Sequence, residues 1–188
     1  MSTESRTLFV GLCICAAAAC GAKDVGGTAI TAKRMADSLY LVVAADRTVY
    51  TKDVVERLGQ EKVVRTSERY KDEKALPLPA QMFRMGAERV ARSDKTFTYN
   101  LLSLWAINKQ NAASTPVEKT GLKQVADTGE PYYTEEKLGG RQYFTAIYPD
   151  KAVAEACVSC HNASPESPRT DFRLGDVMGG VVIRIPVD

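Results

Sequence analysis

The chain has 188 residues, a length suited to one domain, and 45% of them are hydrophobic, enough to supply a core. Lys and Arg (25) nearly cancel Asp and Glu (23), leaving a formal charge of +2. The signs alternate along the chain, so nothing resembles a basic stripe for nucleic acid, and no apolar run after residue 50 could span a bilayer.

The N-terminus reads as an export signal. A short polar start with Arg6 is followed by an apolar stretch from Leu8 to Ala19, too short for a membrane span but suited to a secretory signal. "AAAC" also resembles a bacterial lipoprotein signal, which makes Cys20 the expected lipidated residue and the membrane surface a partner through one anchor. Ordinary cleavage among the alanines is the alternative. The expected organisation is a signal over 1–19, a tether over 20–30 and a domain over 31–188, in the periplasm. Cys13 and Cys15 leave with the signal, so Cys157 and Cys160 are the thiols of the folded domain.

From about Thr31 to Gly59 the periodicity predicts a long helix, with Met35, Leu39, Val42 and Val43 on one face, continued by Val49, Val54, Val55 and Leu58. Asp46 and Arg47 mark a bend or a solvated turn. A charged stretch follows. "LPLPAQMFRMGAERVARSD" restarts a helix at Pro79, a residue suited to a first helical turn. A strand is expected near Thr98 to Ala106, then a short helix from Pro116 to Gly129, bounded by both of its usual punctuation marks. "YYTEEKLGGRQYFTAIYPD" predicts a hairpin around Gly139-Gly140. "KAVAEACVSCHN" reads as a short helix leading into a cysteine motif, and "GDVMGGVVIRIPVD" as a closing strand. Helices first, then antiparallel strands with short helices between them, predict an α+β domain.

The chemistry lies in "CVSCH", Cys157 to His161. A zinc site fails on ligand count, because these three residues are the only cysteines and histidine left in the mature chain. A dithiol of the thioredoxin kind opens a helix, where the dipole lowers the thiol pKa. "AVAEA" instead puts these cysteines at a predicted helix C-terminus. Covalent haem uses all three residues: two thiols add across the vinyl groups and the adjacent imidazole becomes the proximal ligand. The expected cofactor is one haem c, with His161 on the iron. The late position of the motif and the strand that follows it fit neither small cytochromes with an early motif nor four-helix-bundle cytochromes.

"LPLPAQMFRMGAE", "CVSCHN" followed by "SPRTDFRLGDVMGGVVIRIP", and "AADRTVYTKDVVERL" resemble the c-type-haem-binding PAS-like domain family, long catalogued as of unknown function. The resemblance covers roughly residues 30 to 187. It implies a PAS-like antiparallel sheet cradling one covalently attached haem, preceded by long helices. Family members serve as periplasmic sensors of chemotaxis receptors and histidine kinases, or as stand-alone haem proteins. Sensor members continue into a membrane helix and a transmitter; this chain stops at Asp188, which reads as a stand-alone cytochrome.

The sixth iron ligand stays open. Met82 and Met85 are the leading candidates, on a helix resembling the family's pocket wall; Met35, Tyr50 and water are others, while Met178 reads as packing. Arg84, Arg141, Arg169 and Arg173 are candidate partners for the haem propionates, and Tyr143, Phe144, Ile147 and Tyr148 lie on a strand expected to touch porphyrin. The expected role is redox sensing or electron transfer rather than catalysis, since no distal histidine exists to act as acid or base. A gas-binding sensor for NO, CO or O2 is the alternative; a haem enzyme and a CxxC dithiol protein rank below it. A redox or signalling partner protein and a homodimer through the N-terminal helices complete the expectations.

Overall fold

The structure, a computed structural model, describes residues 29–93 and 95–187. Cys20 and the rest of the expected signal lie outside the described residues. Among the described residues no helix is long and apolar enough to cross a membrane.

Helix α1 (Ala32–Val49) opens on Thr31, whose side chain accepts from the Arg34 N–H at 3.2 Å. It runs unbroken past Asp46 and Arg47 into a π-helical segment (Tyr50–Glu56) and a last turn, α2 (Arg57–Gln60). The Thr48 and Thr51 hydroxyls donate to the Ala44 and Arg47 carbonyls at 2.8 and 2.7 Å, offering the ladder other donors where it widens. The buried stripe of α1 is rotated from the expected one. Ala36 is fully buried and Met35, Leu39, Tyr40 and Val43 pack around it, whereas Val42 and Val49 stay exposed. Tyr40 draws the stripe its way by stacking on Tyr148, ring centroids 4.1 Å apart.

Helix α3 (Pro79–Ser93) begins at the expected proline, and Gln81 accepts from the Leu78 N–H at 3.0 Å as a partial cap. Strand β1 (Thr98–Leu102) stops before the expected end at Ala106, because the chain turns at Ser103 to bridge Ala112. Helix α4 (Pro116–Thr128) has a full capping box between Thr115 and Glu118 and a left-handed Gly129 at its end. Strands β2 (Tyr132–Leu138) and β3 (Arg141–Lys151) form the expected hairpin, its turn made by Gly139 and Gly140 with positive φ of 57° and 87°. Helix α5 (Glu155–Ala163) and strand β4 (Val177–Pro186) complete the α+β chain.

The antiparallel sheet runs in the order β1-β4-β3-β2. On one face Ala146, Tyr148, Val181, Ile183 and Ile185 bury α1 and α3. On the other, Ile147 and Val182 pack on Leu122 and Val125 of α4. Close seating of α4 requires small residues: a Cβ on Gly121 would collide with Ile147 Cδ1, and one on Gly180 would fall 2.7 Å from Leu122. The face beneath α4 also holds a buried charged cluster. Arg184 donates through Nη2 to Glu118 at 2.8 Å and through Nε to Glu136 at 2.7 Å, and Thr145 donates to the same Glu136 oxygen. This is the expected α+β arrangement, an antiparallel sheet with long N-terminal helices, with α4 covering its second face. Tyr148 is spent on α1, donating to Asp37 at 2.7 Å.

Candidate functional site

The cysteine motif sits off one end of the sheet. Strand β3 stays extended through Lys151 because its ladder with β4 continues there, so the Ala-rich run 151–154 is not the start of a helix. Helix α5 starts at Glu155, with Ala154 as its N-cap. The motif therefore lies inside the helix and does not end it: Cys157 is in the first turn and His161 in the last. This corrects the expected placement, and helix position no longer argues against a dithiol. The thiol chemistry does not favour one, however. Although Cys160 is exposed as a residue, partial desolvation of its sulfur, with Cys157 and Glu68 adding, raises its pKa. Among the described residues no cluster of three or more His, Cys, Asp or Glu could hold a metal ion.

Three surroundings meet at α5. Cys157 and Val158 pack against Ala152, Phe172 and Met178, with Trp105 alongside. Met178 is packing, as read from the sequence. Cys160 faces the loop that carries Glu68, whose charge is one cause of its raised pKa. That loop borders a hollow lined by Glu68, Tyr70, Gln81, Arg84 and Met85. His161 faces the segment of α1 that carries Arg47, and the π segment packs against α5.

His161 is the chemical centre of this junction. Burial, with the Arg47 charge adding, lowers its pKa, so the imidazole is neutral and keeps a lone pair at neutral pH. Its ring stands edge-on to Phe172, centroids 5.9 Å apart. Its Nδ1 is buried and has no hydrogen-bond partner. A buried orphan of this kind is rare and costly unless a bound group satisfies it.

Phe172 is held by a residue that the sequence reading passed over. Asn162 donates from Nδ2 to the Phe172 carbonyl at 2.9 Å and accepts the Phe172 N–H on Oδ1 at 3.0 Å. This clasp ties the loop before β4 to α5 across ten positions of chain. An asparagine beside the motif carried no periodic signal that could have exposed the pairing. Asn162→Ala is expected to cost about 1–3 kcal/mol by leaving the Phe172 backbone groups unpaired, read as a lower urea midpoint. An unchanged midpoint would show that the clasp contributes nothing.

The other predicted residues divide by location. Arg169 lies over the rings of Phe172 and Trp105, 4.3 and 5.0 Å from their centroids, and bonds Asp171 at 2.6 Å. It therefore belongs to the motif's surroundings, as a cation on an aromatic layer. Arg84 donates to Gln110 at 2.6 Å and lines the hollow on the Cys160 side. Met85 lines the same hollow, its sulfur accepting from the Tyr70 hydroxyl at 3.1 Å; Met82 is half-buried one turn earlier on α3. Met35 packs in the core under α1, and the Tyr50 hydroxyl donates to Pro77 O at 2.7 Å. Arg141 and Tyr143 are not brought to the motif. They stand at the hairpin end of β3, and at about 3.3 Å per residue its two ends are roughly 30 Å apart. Sequence reading also missed Arg47, which looked like a solvated turn residue and is instead buried against Asp150 at 2.9 Å.

Known proteins resemble this chain in two ways. The family described as Tll0287-like (Tll0287) matches residues 28–186. Among solved structures the chain is similar to the cyanobacterial heme-protein Tll0287, with a TM-score of 0.50, 16% sequence identity, and 81% of this chain and 96% of that chain covered. At that identity the likeness shows a shared fold. No curated protein matches.

Proposed function

The chain belongs to the Tll0287-like family, and from that premise we propose that it is a haem protein of the c type, acting in redox sensing or electron transfer. Cys157 and Cys160 are the thioether anchors and His161 the axial ligand. The observation that carries this reading is the donor set on α5. A neutral, buried imidazole with an unpaired nitrogen follows directly on the second of two thiols spaced three apart. A haem held there supplies one-electron exchange at iron. The residues around it orient the ligand: Phe172 braces the imidazole edge-on, Asn162 fixes Phe172, and Arg169 covers the aromatic layer. The protein is exported and tethered through Cys20 in this reading, and its partner is another redox or signalling protein. Leu41, Val42 and Val49, exposed along α1, support self-association through the N-terminal helix.

A second reading, gas binding, is favoured by the hydrogen bond that occupies the Met85 sulfur. A Met85 thioether engaged by Tyr70 is a weaker competitor for iron, which favours an external sixth ligand. Absorption spectra of protein made with a c-type cytochrome maturation system decide between the two. They are recorded oxidised, reduced, and reduced under CO. A covalent Soret band unmoved by CO and lost from its low-spin position in Met85→Leu or Met82→Leu supports a methionine-ligated redox module. A CO-shifted band, indifferent to both substitutions, supports gas binding. No covalent Soret band at all overturns the haem reading.

A further inference from the structure

Two buried side-chain polar atoms among the described residues lack a hydrogen-bond partner: His161 Nδ1 and Arg47 Nε. The first lies on the imidazole already assigned to the proposed site; the second lies outside that assignment. Arg47 projects from α1 toward the end of β3, where its Nη2 donates to Asp150 Oδ2 at 2.9 Å and both side chains are nearly buried, 11% and 13% exposed. Beside this pair lies a cavity of about 250 Å³ lined by Tyr40, Thr48, Asp150, Lys151 and Val153. A guanidinium presents a fork of donors that suits carboxylates, and Asp150 is recorded on Nη2, leaving the Nε position without an acceptor. Burying an arginine with an unused donor is costly, which points to an acceptor that arrives with a ligand. Arg47 and the solvent-exposed Lys151 give the cavity two cationic lining residues to the one carboxylate of Asp150.

We infer that Arg47 seats a carboxylate in this cavity between α1 and the end of β3, and that the carboxylate is a propionate of the haem. The second half of this inference rests on the haem reading. Val153, in the cavity wall, stands two residues before the start of α5, so the cavity adjoins the helix that carries the anchors. The π segment that continues α1 just past Arg47 also packs against α5. Arg84, Arg141 and Arg169 offer no comparable site: each is solvent-facing at hairpin or helix, or already engaged by neighbouring side chains.

The test compares the wild type with Arg47→Lys and with the double variant Arg47→Gln/Asp150→Asn. The double variant leaves no lone buried charge and is checked for folding by circular dichroism. In haem-loaded protein, resonance Raman spectra read the propionate bending bands. In unloaded protein, thermal unfolding is followed with sodium acetate. The expected result is a shift of one propionate band in the double variant, partly restored in Arg47→Lys. Unmoved bands, together with acetate stabilising the wild type at least tenfold more tightly than the double variant, would assign the seat to a free carboxylate and overturn the propionate assignment. Unmoved bands with no acetate stabilisation would overturn the seat itself. If no haem attaches, the haem reading has failed, and the acetate series alone confirms or overturns the carboxylate seat.

Discussion

Arg184→Met is expected to lower the unfolding free energy by about 3–5 kcal/mol, read from urea denaturation followed by circular dichroism at pH 7. Arg184 lies in the central strand β4 under α4, and the carboxylates it serves are 5% exposed in their side chains. Its removal leaves two buried negative charges held by Thr145, by Ser114 and by the Thr115 N–H at the start of α4, with no cation between them. The loss therefore arises from uncompensated charge more than from lost attraction. A variant that also carries Glu118→Gln and Glu136→Leu is expected to regain most of the stability, since the glutamine amide oxygen still caps α4 while both charges go. A loss below about 1 kcal/mol for Arg184→Met alone would show that water reaches the cluster.

The same cluster sets an acid limit. Burial pushes the Glu118 carboxyl up, but the Thr115 and Ser114 N–H groups and the Arg184 guanidinium outweigh it, and its pKa ends below the ordinary value. A carboxyl depressed in the folded chain contributes stability that is fully present above its unfolded pKa of about 4.3 and is lost as pH falls through the folded value. Stability should thus fall below roughly pH 4 in the wild type, and the fall should be shallower in Glu118→Gln.

His161→Ala is expected to leave haem attached through Cys157 and Cys160 yet abolish the histidine-ligated spectrum in all of the loaded protein. Added imidazole should restore that spectrum. The thiols and the imidazole occupy separate positions along α5, so attachment and ligation are separable by substitution. A merely structural His161, braced on Phe172, would change thermal stability without altering the bands or responding to imidazole. An unchanged spectrum would remove His161 from the iron and leave another group as its ligand. Cys157→Ser/Cys160→Ser is the complementary control, expected to retain no haem on a denaturing gel.

What the sequence determined by itself is local. Thr115, Pro116, Glu118 and Gly129 bracket α4 because caps act within a turn of the helix they close. Gly139-Gly140 makes the hairpin because only residues tolerant of positive φ fit that turn. Cys157, Cys160 and His161 stand out as a candidate haem-attachment motif because that reading needs their spacing alone. Tertiary structure decided the rest. Residues 151–154 have helix-favouring composition, yet pairing with β4 draws the first of them into a strand and moves the start of α5. Arg47 reads from the sequence as a bend or solvated turn, and Arg184, Glu118 and Glu136 carry no signal there, since charge in a sequence gives no sign of its partner. Their partners lie 48 to 103 positions away, and only the packing of helices on the sheet brings them together and dries them. Arg141 shows the converse: a plausible charge in a plausible strand, carried by the length of β3 to the opposite end from the motif. Short-range preferences thus settled which elements form, while long-range burial settled which charges are paired and dried.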